Sequence, residues 1–142
     1  MILAPRKLAF LVFCGVALFA TGCGGNKDKI VGKWKVESGP GTEMLGLFEG
    51  KAYMFMEFAK DGTMKMGFEF TDPAMKEKLG KAETAASAKY TVSGDTLEVQ
   101  PSDNAKDGPF KKGENTAKIK FDGNDKLTLS GKDGEVKLTR MK

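Results

Sequence analysis

The stretch that most constrains this chain runs from Ala52 to Phe70, where apolar residues alternate on both sides of a glycine-containing turn. Ala52, Met54, Met56 and Phe58 share one face of an extended segment, and Met64, Met66, Phe68 and Phe70 share one face of the next. A two-residue Asp61-Gly62 turn would pair positions of opposite parity and put the two sets on opposite sides of a sheet. A three-residue loop of Lys60, Asp61 and Gly62, with Gly62 left-handed in a bulge, pairs Ala59 with Thr63 instead. Phe58 then faces Met64, Met56 faces Met66 and Met54 faces Phe68. Tyr53 and Phe55 turn to the other side, to form an aromatic patch or to lie under a following helix.

The same two-residue period appears at Ile30-Val31-Gly32-Lys33-Trp34-Lys35-Val36, with Ile30, Gly32, Trp34 and Val36 on one side. Breakers from Ser38 to Thr42 form a loop. Asp72 as N-cap, Pro73 in the first turn and Gly80 as terminator predict a helix of one to two turns, with Met75 and Leu79 laid on the sheet as a plug. Ala88, Tyr90 and Val92 then meet Leu97 and Val99 across a two-residue Gly94-Asp95 turn, which aligns Val92 with Leu97 and Tyr90 with Val99. A long polar loop over residues 101–115, holding Pro109 and Phe110, precedes a meander of Ala117, Ile119 and Phe121, then Leu127 and Leu129, then Val136 and Leu138. About seven to eight short antiparallel strands with one short helix make an all-β domain, a sandwich or an up-and-down barrel, over residues 30–142.

The first 22 residues have a different character. Arg6 and Lys7 precede an uncharged run from Leu8 to Ala20 and the small residues Thr21 and Gly22, the anatomy of a secretory signal peptide. Ala20-Thr21-Gly22-Cys23 resembles the lipobox of bacterial lipoproteins, whose cysteine receives a diacylglyceryl thioether and further acyl chains such as palmitate. The resemblance implies cleavage before Cys23 and a membrane anchor on Cys23, and the polar run from Gly24 to Lys29 reads as a flexible tether, so that residues 23–29 link anchor and domain. Several acyl chains on one cysteine hold a protein lastingly, where a single chain holds it marginally. In that family an aspartate after the cysteine favours the inner membrane. Gly24 stands there, which implies an outer-membrane anchor facing the periplasm in a Gram-negative source.

A further resemblance concerns the two ends of the domain. Gly32-Lys33-Trp34 and Arg140 are similar to the first-strand Gly-x-Trp and last-strand arginine of lipocalins. Phe58 with Lys60-Asp61-Gly62-Thr63, the phrase from Tyr90 to Leu97, and Asp125-Lys126-Leu127-Thr128-Leu129 resemble phrases of small bacterial lipoproteins with a lipocalin-like domain. The resemblance implies a short calycin-type barrel closed by Gly32, Trp34 and Arg140, the arginine covering the indole in a cation–π contact. It also implies an interior that takes a small apolar ligand, with Trp34, Met54, Met56, Met66, Phe68 and Tyr90 as the candidate lining. An eight-stranded barrel is just wide enough either to hold one small molecule or to be filled by its own side chains. A filled barrel would make the chain a structural or interaction module of the envelope.

Composition removes several chemistries. The chain has no histidine, which rules out Ser-His-Asp and Cys-His catalysis and histidine-ligated zinc. Of its 23 basic residues, Arg6 and Lys7 leave with the signal, so 21 stand against 19 acidic ones, too even a balance to suggest nucleic acid. Asp61, Asp95, Asp122, Asp125 and Asp133 sit in turns, where aspartate serves the backbone. We therefore expect neither an enzyme nor a bound cofactor, and no site built for a metal. One alternative is carried by Met54, Met56, Met64 and Met66, two Met-x-Met pairs on adjacent strands whose thioethers suit Cu(I). The same alternation is required simply to build the apolar face.

Overall fold

The structure, a computed structural model, describes residues 25–80, 82–101 and 115–142. The expected signal segment, the expected anchor at Cys23 and most of the polar loop, with Pro109 and Phe110, lie outside the described residues. Eight antiparallel strands close into a barrel in sequence order. They are β1 (Gly32–Ser38), β2 (Ala52–Phe58), β3 (Thr63–Phe70), β4 (Ala82–Ser93), β5 (Thr96–Pro101), β6 (Thr116–Asp122), β7 (Lys126–Gly131) and β8 (Gly134–Arg140). Two short helices, α1 (Asn26–Ile30) and α2 (Pro73–Leu79), and a 3₁₀ helix over Thr42–Phe48 decorate its ends.

The β2–β3 hairpin has the register that its alternation predicts. Met54 pairs with Phe68, Met56 with Met66 and Phe58 with Met64. Gly62 has φ +85°, its N–H donates to the Ala59 carbonyl at 3.2 Å, and Ala59 N–H donates to Thr63 at 2.8 Å. The Asp61 carboxylate accepts from Thr63 N–H at 2.8 Å, which holds its pKa below the usual carboxylate value. In the β4–β5 hairpin Val92 pairs with Leu97 and Tyr90 with Val99. Closure follows when β1 meets β8, with Trp34 opposite Arg140 and Val36 opposite Leu138. Inward residues from all eight strands form one core, from Trp34, Val36, Met56, Phe58 and Met64 round to Leu127, Leu129 and Leu138.

The two ends of this barrel differ. At one end lie the tight turns after β2, β4 and β6 together with α1; at the other lie the 3₁₀ helix, α2 and the β7–β8 turn. Three expectations change here. The chain enters β1 through α1, where a flexible tether and the start of a strand were expected. Ile30 ends that helix, and it still reaches the core because Gly32, at φ +134°, redirects the backbone into β1. Helix α2 is not a plug: Asp72 caps it by accepting from Met75 N–H at 3.0 Å, but Leu79 stays 53% exposed and Met75 only half-buried. Phe48 from the 3₁₀ helix, and not α2, packs on the aromatic side chains at the end of β3, its ring 6.2 Å from Phe68 and 6.0 Å from Phe70.

The third change concerns the outer face of β2. Phe55 is buried, not part of an exposed patch. It stands opposite Gly67, where no side chain competes for space, and the Lys33 ammonium lies 4.4 Å from its ring centroid. Lys33 in turn pairs with Glu69. Helix α2, expected to cover these aromatics, packs instead against β3 and β4.

Replacing Gly62 by alanine puts a Cβ on a left-handed residue 3.4 Å from the Tyr90 carbonyl. The Gly62→Ala domain should lose about 1–2 kcal/mol in equilibrium urea unfolding, with an unchanged m-value.

Candidate functional site

The barrel interior divides into a filled half and a hollow half, and the residues at each level decide which is which. At the end capped by α1 the side chains are the largest in the core. Trp34 is fully buried, and its indole N–H donates to the Ile30 carbonyl at 2.8 Å. Phe121 lies against it with ring centroids 6.1 Å apart. Phe58 and Tyr90 meet edge to face at 5.1 Å, and the Tyr90 hydroxyl donates to the Ala59 carbonyl at 2.6 Å. These aromatics leave no room at this level.

Arg140 closes the same end from β8. Its guanidinium carbon is 4.1 Å from the Trp34 ring centroid. Its nitrogens donate to the carbonyls of Asn124 at 2.9 Å, Val31 at 3.0 Å and Lys29 at 2.5 Å. One side chain thereby ties together the β6–β7 turn, the end of α1 and the start of β1. Gly32 completes the arrangement, because a Cβ there would stand 2.7 Å from an Arg140 nitrogen. The structure thus brings Gly32, Trp34 and Arg140 into one closure.

Toward the other end the side chains become smaller and more flexible, and a cavity of about 200 Å³ opens to solvent. Met56, Met64 and Met66 make one wall; Leu97 and Val99 of β5, Ala117 of β6, Leu129 of β7 and Val136 of β8 make the wall opposite. Its mouth is framed by Pro40, by Asn115 and Thr116, and by the turn from Gly131 to Gly134. The volume falls below the range of about 300–1,000 Å³ typical for drug-sized ligands, and is on the scale of the roughly 150 Å³ cavity that admits benzene.

The candidate lining residues therefore separate. Met56 and Met66 face the cavity, whereas Trp34 and Tyr90 belong to the filled aromatic end. Met54 packs near Gly41, its methyl 3.8 Å from where a Cβ on that glycine would sit, and Phe68 packs under Phe48. Alternation in the sequence marks the other wall residues as inward-facing but does not single them out. Alternation says which way a side chain points and says nothing about where facing side chains fall short of meeting. Among the described residues, no group of three or more Cys, Asp or Glu side chains is placed to hold a metal ion. Two of the turn aspartates are occupied locally: Asp61 by Thr63 N–H, and Asp95 by bonds from Lys118 at 3.0 Å and Thr96 at 3.2 Å, which lower its pKa.

On the outer wall, burial and the neighbouring Glu69 push the Tyr53 phenol up to about 12. Burial, and to a lesser degree the negative charge of Asp61, raise Tyr90 as well. A phenol whose pKa is higher folded than unfolded stabilises the fold fully below the unfolded value and loses that contribution as pH rises toward the folded one. Phenolate absorbance from the two tyrosines should therefore appear later in the folded protein than in urea, and stability should fall between about pH 10 and pH 12.

Truncating Arg140 removes the cover of Trp34 and three charge-assisted hydrogen bonds. Arg140→Ala should cost about 2–4 kcal/mol and red-shift the emission of the sole tryptophan, and Arg140→Lys should restore less than half of the loss, because a point ammonium cannot serve three carbonyls and a ring face together. No protein-family model matches this chain, and no curated protein matches it either.

Proposed function

We propose that this chain is a lipoprotein of the bacterial cell envelope, anchored through acylated Cys23, whose lipocalin-like barrel binds one small apolar molecule without catalysing a reaction. The observation that carries the reading is the half-open cavity of about 200 Å³ with its wall of Met56, Met64 and Met66. Flexible thioether side chains adapt to irregular apolar partners. The filled end supports the same reading, since a rigid floor confines a ligand to the open half. The signal anatomy and Ala20-Thr21-Gly22-Cys23 support export and acylation, and Gly24 supports an outer-membrane anchor facing the periplasm.

A second reading is favoured by one observation: three thioethers from adjacent strands line the same cavity, a donor set that suits Cu(I). It is the weaker reading, because the opposite wall is aliphatic and the methionines also complete the apolar face.

Native mass spectrometry of the domain from Gly24 to Lys142, purified from envelope fractions, separates these readings. A ligand of the proposed class should appear as a reproducible organic adduct that is lost on denaturation. Ala117→Phe, which pushes a ring into the cavity from β6, should abolish the adduct and leave the circular dichroism unchanged. A clean apo mass under all conditions would instead mean a module acting through its outer surface. Cu(I) titration giving a tight one-to-one complex, lost in Met56→Leu and Met66→Leu, would establish the second reading; those changes alone should cost under about 1.5 kcal/mol.

A further inference from the structure

We infer that the filled end of the barrel rests on the anchoring bilayer and that the cavity opens on the side facing away from it. Ligand then exchanges with the aqueous compartment or with a protein approaching from it, and not with the anchoring membrane. This rests on the acylation of Cys23 proposed above.

Asp28 and Lys29 N–H groups donate to the Gly25 carbonyl at 3.0 and 3.3 Å, making Gly25 the N-cap of α1. The Asn26 side-chain amide donates to the Gly94 carbonyl at 2.9 Å, which pins the start of α1 beside the β4–β5 turn. The end of α1 is pinned by the bonds to Ile30, Lys29 and Val31 from Trp34 and Arg140. Both ends of the helix are therefore held at the filled end of the barrel.

Two peptide links separate Gly25 from Cys23, and a fully extended chain spans at most about 3.6 Å per residue, or roughly 7 Å in all. The mouth lies a strand length away. Six residue steps along β8 at about 3.3 Å, tilted by about 40°, put it roughly 15 Å higher. A tether of that length cannot carry the acylated cysteine round to the mouth.

Among the described residues, the exposed large apolar side chains, Met44 at 55%, Leu47 at 79% and Leu79 at 53%, all belong to the end opposite α1. A barrel free to tumble would offer these residues to a bilayer. One fixed at the α1 end holds them off its own membrane.

The test uses the full, acylated protein in phosphatidylethanolamine–phosphatidylglycerol vesicles carrying an acceptor dye at headgroup level. Cys14 is lost with the signal and Cys23 is acylated, so an introduced cysteine is the only thiol to label. Lys60→Cys places a donor at the filled end and Leu79→Cys at the open end. Transfer from position 60 should exceed that from position 79 by about two-fold, given a height difference of roughly 15 Å. Inserting about twenty Gly-Ser residues between Gly24 and Gly25 should erase the difference, since a flexible linker of that length spans the barrel. Equal or reversed transfer in vesicle-bound protein overturns the inferred orientation and leaves acylation standing. An intact mass without the lipid, with no flotation, overturns the acylation and the orientation with it.

Discussion

The guanidinium of Arg140 on the ring of Trp34 is the contact on which the closure of this barrel depends. Eight strands in sequence order leave one seam, between the first and the last, and that seam receives no help from a connecting turn. Backbone pairing of Trp34 with Arg140 starts it. The side chain then fastens it, meeting the indole at 4.1 Å and donating to carbonyls from α1, from the residue before β1 and from the β6–β7 turn. Planar geometry and a permanent charge let one arginine serve four partners that chain connectivity does not otherwise join.

Closing one end with the largest side chains governs what remains at the other. Trp34, Phe58, Tyr90 and Phe121 fill their level of the barrel, while methionines and branched aliphatics higher up leave a cavity of about 200 Å³. The same end that is sealed also receives the incoming chain, through α1. Sealing, chain entry and opening thus lie along one axis, with the opening at the end opposite α1. The short strand length keeps the cavity small, so its volume follows from the dimensions of the barrel before any specific contact is considered.

Much of this was written locally. The alternation from Ala52 to Phe70, combined with the turn chemistry of Lys60-Asp61-Gly62, determined the β2–β3 register, because a slip by one residue would have put four apolar side chains in water. The Gly94-Asp95 turn determined the β4–β5 register in the same way. Helix α2 was legible from Asp72 and Pro73, and its position was not, because only the assembled barrel shows Phe48 packed on Phe68 and Phe70 while Leu79 stays exposed.

The sequence by itself determined the strands, their facing sides and two hairpin registers, since these depend on two-residue periodicity and on glycine at positive φ. Only the tertiary structure decided that α1 leads into the barrel, that Phe55 is buried beneath Lys33, and that the cavity lies between the methionine wall and Leu97, Val99, Leu129 and Val136. The physical reason is that a void is a property of side chains that fail to meet across the barrel. Residues far apart in the chain set that distance, and no local pattern records it.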